Sequence, residues 1–284
     1  MTFMDMAVAF AQISPSFSFA PFADILQPMI DATLAEQGKE QYRQGTLLTP
    51  VLLVWLVLVL TLRRDLNYHQ ALNWMTSGFR WIQAILPPQS KMVQDGAISH
   101  ARVRLGVEVF RSLFQKLTAS FWPITPDFHG LISVAFDGST GTMPDTKSNA
   151  HKFHKPKSRS GQSAFPQMRM MTLMALSVRL MLEVAYAPYS GKGTGEKTLV
   201  MHILGQLSYN GLLFLLDAGL YSFDILSRIA QTGQKVLVKA PKTLKPKFIK
   251  SLPDGSYLAR VSKKVLDQDA PRSKNGRNAG KKYI

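Results

Sequence analysis

Cysteine is absent from this chain of 284 residues. That removes disulfide bridges and thiolate metal sites, and it fits a reducing compartment. Charge is scarce as well: 18% of the residues are charged against 46% hydrophobic. Such a balance excludes a disordered chain, which buries too little apolar surface to offset its ordering entropy. Of the two signs, acid is the scarcer, with 18 Asp and Glu against 34 Lys and Arg. No glycine-rich loop has nucleotide-binding spacing, and Gly191–Lys197 (GKGTGEK) reads as a flexible turn. The first residues hold Asp5 but no Lys or Arg, unlike the start of an export signal.

The chain also lacks an apolar run of membrane-spanning length. Leu47–Leu62 (LLTPVLLVWLVLVLTL), flanked by Arg43, Arg63 and Arg64, comes nearest. As a helix it would reach only ~24 Å, against a hydrocarbon core of ~30 Å. Pro50 suits a first helical turn. The run therefore predicts a helix buried on all sides within a folded domain, with a small membrane protein as the rival reading.

The charge that is present is unevenly placed. Residues 1–130 carry 10 basic against 9 acidic residues, and residues 131–284 carry 24 against 9. A half-chain that basic calls for a polyanionic partner, because Lys and Arg release counterions when they neutralise phosphates. Charge alone does not separate DNA from RNA or from an anionic membrane.

Period and punctuation divide the chain. Residues 1–24 read as a tail and 25–125 as a helical domain. Within it, Asn67–Trp81 has helical spacing, and Ser99 is placed to cap a helix lining up Val103, Val107, Phe110, Leu113, Phe114 and Leu117. Two short helices around the Lys91–Gly96 turn have the look of a helix-turn-helix DNA reader, or else of an ordinary bundle. From residue 130 to 264 the pattern is mixed. Strands are expected at Leu131–Phe136, Gln167–Ser177, Leu180–Tyr189, Leu212–Leu216 and Val236–Lys239, and helices at Gly195–Leu207 and Phe223–Gln231. Pro253-Asp254-Gly255 predicts a hairpin turn between Phe248–Leu252 and Tyr257–Val261. Residues 265–284 read as a basic tail. The fold class is α+β.

Two buried strands run into an acid followed closely by glycine: Asp137-Gly138 and Asp217-Ala218-Gly219. Residues at the C-terminal ends of parallel strands stand at the mouth of a crevice. Two carboxylates there could share a divalent ion with water and substrate phosphate oxygens. Equally, Asp-Gly could simply turn the chain. Lys147, Lys152, Lys155, Lys157 and Arg159 follow the first acid, and Lys242, Lys245, Lys247 and Lys250 follow the second. Both sets suit contacts to a DNA backbone. His151 and His154 have metal-pair spacing but no third ligand nearby. Glu196 suits the first turn of a helix and Asp254 its turn.

Several blocks, in order, resemble the DDE transposases of the IS-four insertion-sequence family. They are DGSTGTMPDTKSNAHKFHKPKSRSGQSAFPQ from Asp137, then GTGEKTL, LLFLLDAGLYSFDIL, KAPKTL and LPDGSYLARV. Upstream, EQYRQGTLLTPVLLVWLVLVLTLRRDLNYHQAL and SHARVRLG are similar to that family's helical N-terminal domain. The resemblance implies an RNase H-like α/β domain behind the helical one, with Asp137 and Asp217 as the first two catalytic, metal-binding aspartates. It further implies two magnesium ions, replaceable by manganese, and DNA cleavage and strand transfer at transposon ends. Duplex DNA at transposon ends and targets would be the partner, a second copy of the chain a further candidate, and the bacterial cytoplasm and nucleoid the place. Two departures stand out. Ala218 sits where the family has Arg, and no Tyr-Arg-Glu-Lys signature, the expected source of the third acid, follows Asp217. The expectation is thus a catalytic domain incomplete at its C-terminus and inactive alone, with a non-catalytic DNA-binding fragment as the alternative.

Overall fold

The computed structural model of the chain describes residues 20–40, 46–78, 93–158, 161–242, 244–261, 263–266 and 279–282. It divides into two compact units, Met1–Trp122 and Pro123–Ile284.

The first unit is built from α1 (Ala20–Glu36), α2 (Pro50–Leu62), α3 (Tyr68–Gly78), α4 (Asp95–Leu105) and α5 (Glu108–Ser120). Helix α2 starts where the sequence dictates: the Thr49 hydroxyl accepts the Leu52 N–H at 3.2 Å, and Pro50 opens the first turn. Leu52, Leu53, Val54, Trp55, Leu56 and Val59 are all buried, so the helix turns no wide face to solvent. Even its one polar ring atom is satisfied, as the Trp55 indole donates to Gln27 Oε1 at 2.8 Å. Among the described residues no helix is long and apolar enough to cross a membrane. Helix α3 opens with a reciprocal cap, in which Asn67 and Gln70 each accept the other's backbone N–H at 2.9 Å.

One part of the helical reading is corrected. Ser99 caps nothing; it lies inside α4, whose N-cap is Gln94. The single expected helix is two, broken at Gly106, which takes φ 76° and lets the chain turn into α5. The break rotates the apolar stripe. Ile98, Ala101, Leu105, Val109 and Leu113 are buried, whereas Val103 and Val107 face water. Of the expected helix-turn-helix pair around the Lys91–Gly96 turn, α4 stands on the C-terminal side, and residues 79–92 before it lie outside the described residues.

The second unit is a mixed α/β fold. Its sheet runs β5-β4-β1-β6-β7, from β1 (Ile132–Thr142), β4 (Gln167–Ala175), β5 (Leu180–Pro188), β6 (Leu212–Leu216) and β7 (Lys235–Val238). β1, β4 and β5 form an antiparallel meander, and β6 and β7 run parallel to β1 and to each other. Between β1 and β4 lie the short helix α6 (Lys147–Phe153) and the small β2–β3 pair, Lys157–Ser158 with Gly161–Gln162. Helices α7 (Glu196–Gln206) and α8 (Phe223–Gln231) pack on each other and over one face of the sheet. Leu199, Val200 and Ile203 of α7, Ile225 and Ile229 of α8, and Val134, Leu173 and Phe214 of the sheet are all buried. The opposite face leaves Val184, Tyr186 and Leu237 exposed.

Beyond the sheet, β8 (Lys247–Ser251) and β9 (Tyr257–Arg260) form the hairpin expected around Pro253-Asp254-Gly255. Its turn is closed by the Leu252 N–H donating to Ser256 O at 2.8 Å. The basic tail is not wholly irregular, because Lys263–Leu266 (β10) pairs with Ala279–Lys282 (β11). Four-residue strands are too short to announce themselves by period.

Leu56→Ala is expected to destabilise the chain by about 2–5 kcal/mol, through lost burial and the cavity left in α2's surroundings. Urea denaturation followed by the α-helical circular dichroism signal measures it. A cost below ~1 kcal/mol would show that α2 is not a core helix.

Candidate functional site

The two singled-out acids belong to neighbouring strands. Asp217 follows β6 directly, as the sequence suggests. Asp137 does not end its strand: β1 continues to Thr142, paired throughout with β4, and Asp137 stands opposite Thr172. The Thr172 hydroxyl donates to the Asp137 carbonyl at 3.2 Å. What does end just before Asp137 is the pairing with β6, whose register sets Ile132 against Leu212 and Ala135 against Leu215. Carried two residues further, the same register brings Asp137 level with Asp217 and on the same side. Both side chains are exposed. They share the sheet face not covered by α7 and α8, together with Val184, which pairs across Thr172.

Local geometry holds each acid. The Asp217 carboxylate accepts the Leu220 N–H at 2.9 Å, which folds the following turn back on it. A Cβ at Gly219 would come within 3.3 Å of Asp217 Oδ2, so a larger residue there would press on that carboxylate. From below, Lys197 donates to the Tyr221 carbonyl at 2.7 Å, tying the first turn of α7 to the same loop. On the covered face, Phe136 and Phe214 stack with ring centroids 5.8 Å apart, just beneath the two acids.

A third acid comes close in a way the sequence did not advertise. Glu196 does open α7, as expected, but its carboxylate reaches Gly138, the residue after Asp137. A Cβ at Gly138 would lie 3.5 Å from Glu196 Oε1 and 3.4 Å from Met171 Cε. Alternation along β1 puts this contact on the face opposite Asp137. Among the described residues, no three His, Asp or Glu side chains come together as a metal cage. His151 and His154 join no such group.

The basic residues are distributed as follows. Lys147 and Lys152 are exposed on α6, and Lys157 is exposed on β2. Lys155 is engaged within the chain, 2.7 Å from Asp145 Oδ2. Arg159 lies outside the described residues. Lys242 and Lys245 are exposed in the loop after β7. Lys247, Lys250 and Arg260 share one face of the β8–β9 hairpin, and Phe248 and Tyr257, 6.0 Å apart, share the other. Arg169, not singled out from sequence, lies 4.8 Å from the Tyr189 ring and donates to Thr194 O at 3.2 Å.

With this geometry in view, the comparisons with known proteins are informative. Residues 17–115 match the family described as Insertion element 4 transposase N-terminal. Over 245 residues the chain is 29% identical to Transposase InsG for insertion sequence element IS4 of Escherichia coli K12, covering 84% of this chain and 52% of that protein. Over these spans the chain is similar to transposases of the insertion element 4 type. A second similar protein, Putative transposase InsZ of Escherichia coli K12, is 31% identical over 148 residues, 50% of this chain and 48% of that protein. The chain thus spans about half the length of the curated relatives it matches. A solved piggyBac transposase synaptic complex with hairpin DNA is similar at a TM-score of 0.36 and 11% identity, over 96% of this chain and 63% of that one. A likeness that slight carries no argument.

One titratable group of the second unit is perturbed by its setting. Glu183 on β5 lies on the covered face, level with buried Leu173, and burial raises its pKa above the ordinary 4.5. Burial also raises the Tyr209 phenol, with the Glu183 charge adding to the rise. A raised carboxyl pKa means the folded chain holds its proton more tightly than the unfolded one. The resulting stability is full below pH ~4.5 and is lost as pH rises through the folded value. Glu183→Gln should therefore raise the melting temperature at pH 8 and leave it unchanged at pH 4. Thermal melts at the two pH values check it, and equal shifts at both would refute the burial account.

Proposed function

We propose that this chain is a transposase of an insertion sequence, acting on duplex DNA at transposon ends, and that its second unit is an RNase H-like domain. The observation that carries the reading is the β1–β6 register, which sets Asp137 and Asp217 level on an exposed side of a mixed sheet. Relationship to IS4 transposases supports it independently.

Two carboxylates and open space for water and phosphate oxygens fit the donor set of one magnesium or manganese ion, which takes one or two protein carboxylates. A complete site of this kind holds two such ions, which supply Lewis-acid stabilisation to the attacking and leaving oxygens of a phosphodiester. Asp137 and Asp217 would hold the metal, and the turn closed on Asp217 by Leu220 N–H keeps that carboxylate aimed. Exposed Lys147, Lys152 and Lys157 before β4, and Lys242, Lys245, Lys247 and Lys250 after β7, would lie along the DNA backbone and neutralise phosphates. Lys155 would contribute less, its charge being already paired with Asp145. Ala218 leaves the position after the second acid without a cation. This reading places the protein in the bacterial cytoplasm on the nucleoid.

Binding without cutting is the behaviour favoured for these residues by themselves. The specific reason is the missing third ligand: among the described residues no three acids or histidines gather. Losing one metal's charge stabilisation would cost several kcal/mol in the transition state, slowing the chemical step roughly a thousandfold or more. The test incubates labelled transposon-end duplex with the chain, in magnesium or manganese, beside its Asp137→Ala and Asp217→Ala variants. Binding that weakens with salt, with no cleavage by any of the three, is expected. Efficient cleavage by the unmodified chain, abolished by either substitution, would mean that another acid, such as one from a second copy of the chain, completes the site. Absence of any duplex binding would remove the transposase reading itself.

A further inference from the structure

The register that sets the two acids level carries on to a third strand. β7 pairs parallel with β6 from Leu213↔Lys235 to Leu216↔Val238, and the Lys239 N–H donates to the Leu216 carbonyl at 3.0 Å, one residue past the strand. Lys239 is therefore level with Asp217, as Asp217 is with Asp137. Alternation puts all three side chains on the open face, Lys239 two residues beyond Leu237. Neighbouring strands stand about 4.8 Å apart, so Asp137, Asp217 and Lys239 form one row roughly 10 Å long. All three are exposed.

The ammonium has no other acid to serve. Among the described residues Lys239 joins no ion pair. Asp127, Asp145 and Asp254 accept from Ser133, Lys155 and Ser256, and Glu183 and Glu196 lie on the side of the sheet that α7 covers. The nearest alternatives to Lys239 in the loop after β6 are not open to the acids, because Lys197 is engaged with the Tyr221 carbonyl and Ala218 carries no charge. Two carboxylates one strand apart repel each other. A lysine in the same row has a flexible four-carbon stem, long enough to bring its ammonium onto Asp217 by side-chain rotation alone.

We propose that Lys239 is the internal counter-cation of the Asp137–Asp217 pair, competing with a divalent ion for Asp217 until a DNA phosphate draws it away. This deepens the metal-binding reading above and rests on it. With neither metal nor DNA, the ammonium balances one of the two carboxylate charges. A divalent ion on Asp217 has to displace it, across a few ångströms at which like charges repel even through water. A phosphodiester laid along the row offers the ammonium a second anionic partner, so Lys239 swings outward and leaves Asp217 to the metal. The coupling is reciprocal: whatever factor duplex adds to metal affinity, metal adds to duplex affinity. The row thus keeps the site lightly loaded in the free chain and fills it on DNA. Lys235 lies on the same strand and face but about 13 Å away, too distant and too well screened to share the role.

The test titrates the full chain and its Lys239→Gln, Lys239→Arg, Lys235→Gln and Asp137→Asn variants with manganese, with and without a duplex, reading the free ion by its paramagnetic resonance. The Asp137→Asn chain with duplex is the blank for ions held by DNA itself, and thermal melting checks that every variant folds. Without DNA, Lys239→Gln should bind manganese roughly 3- to 10-fold more tightly than the unmodified chain, the opposite of what a damaged site would do. Lys239→Arg and Lys235→Gln should stay close to the unmodified chain. Duplex should tighten manganese on the unmodified chain, and the gain should be roughly 3- to 10-fold smaller on Lys239→Gln. Unchanged or weaker manganese binding by Lys239→Gln would overturn the assignment, as would an equal gain in Lys235→Gln, the mark of a general field. An equal duplex effect in both chains would overturn it too, since the ammonium would then never leave for the phosphate. Uptake abolished in Asp137→Asn but indifferent to Lys239 would remove the counter-cation and leave the metal site standing. No uptake by the unmodified chain would bring down both.

Discussion

The site depends on the register between β1 and β6. In a sheet the side-chain period is two, so a slip of one residue would send one of the two acids through to the α7 face. Hydrophobic contacts on that face prevent the slip. Val134 and Phe214 are fully buried register partners, and Phe136 stacks on Phe214. The energy that locks the acids level is thus apolar and lies beneath the sheet. The carboxylates contribute nothing favourable to it, because two like charges brought side by side repel. A divalent cation of the kind proposed would relieve that repulsion on the open face, where the covered face already enforces the arrangement.

A second consequence concerns the loop after Asp217. It is pinned from two directions: by the Asp217 carboxylate through Leu220 N–H, and by Lys197 reaching up from α7. Asp137 is fixed differently, by strand pairing with β4 along one side of its backbone. One acid is therefore positioned by a turn and the other by a ladder. Neither depends on the exposed lysines, whose proposed work is on DNA further out.

Much of this was legible in the chain. Leu212–Leu216 is an unbroken apolar run ending in Asp-Ala-Gly, and its strand matches residue for residue. Phe223–Gln231 is bounded by Ser222 and Gly233, and its helix also matches. The burial of Leu52–Leu56 and Val59 within the Leu47–Leu62 run follows from its length and from Pro50. Other features depend on partners distant in sequence. β1 passes through Asp137 because β4 lies beside it, and nothing local to Asp137-Gly138-Ser139-Thr140 announces a strand. The stripe from Val103 to Leu117 keeps its period only if the helix is continuous, and the break at Gly106 was hidden in that period. Glu196 looked like a first-turn acid and is one; its reach to Gly138 arises only when α7 lies across the sheet.

The central claim is that register makes one metal site from two strands. Titration of the full chain with manganese, followed by the paramagnetic resonance of the free ion, tests it most directly. The account predicts one site, lost in both the Asp137→Asn and the Asp217→Asn variants while each retains its melting temperature. Manganese uptake unchanged by either substitution, or lost with only one, would contradict it.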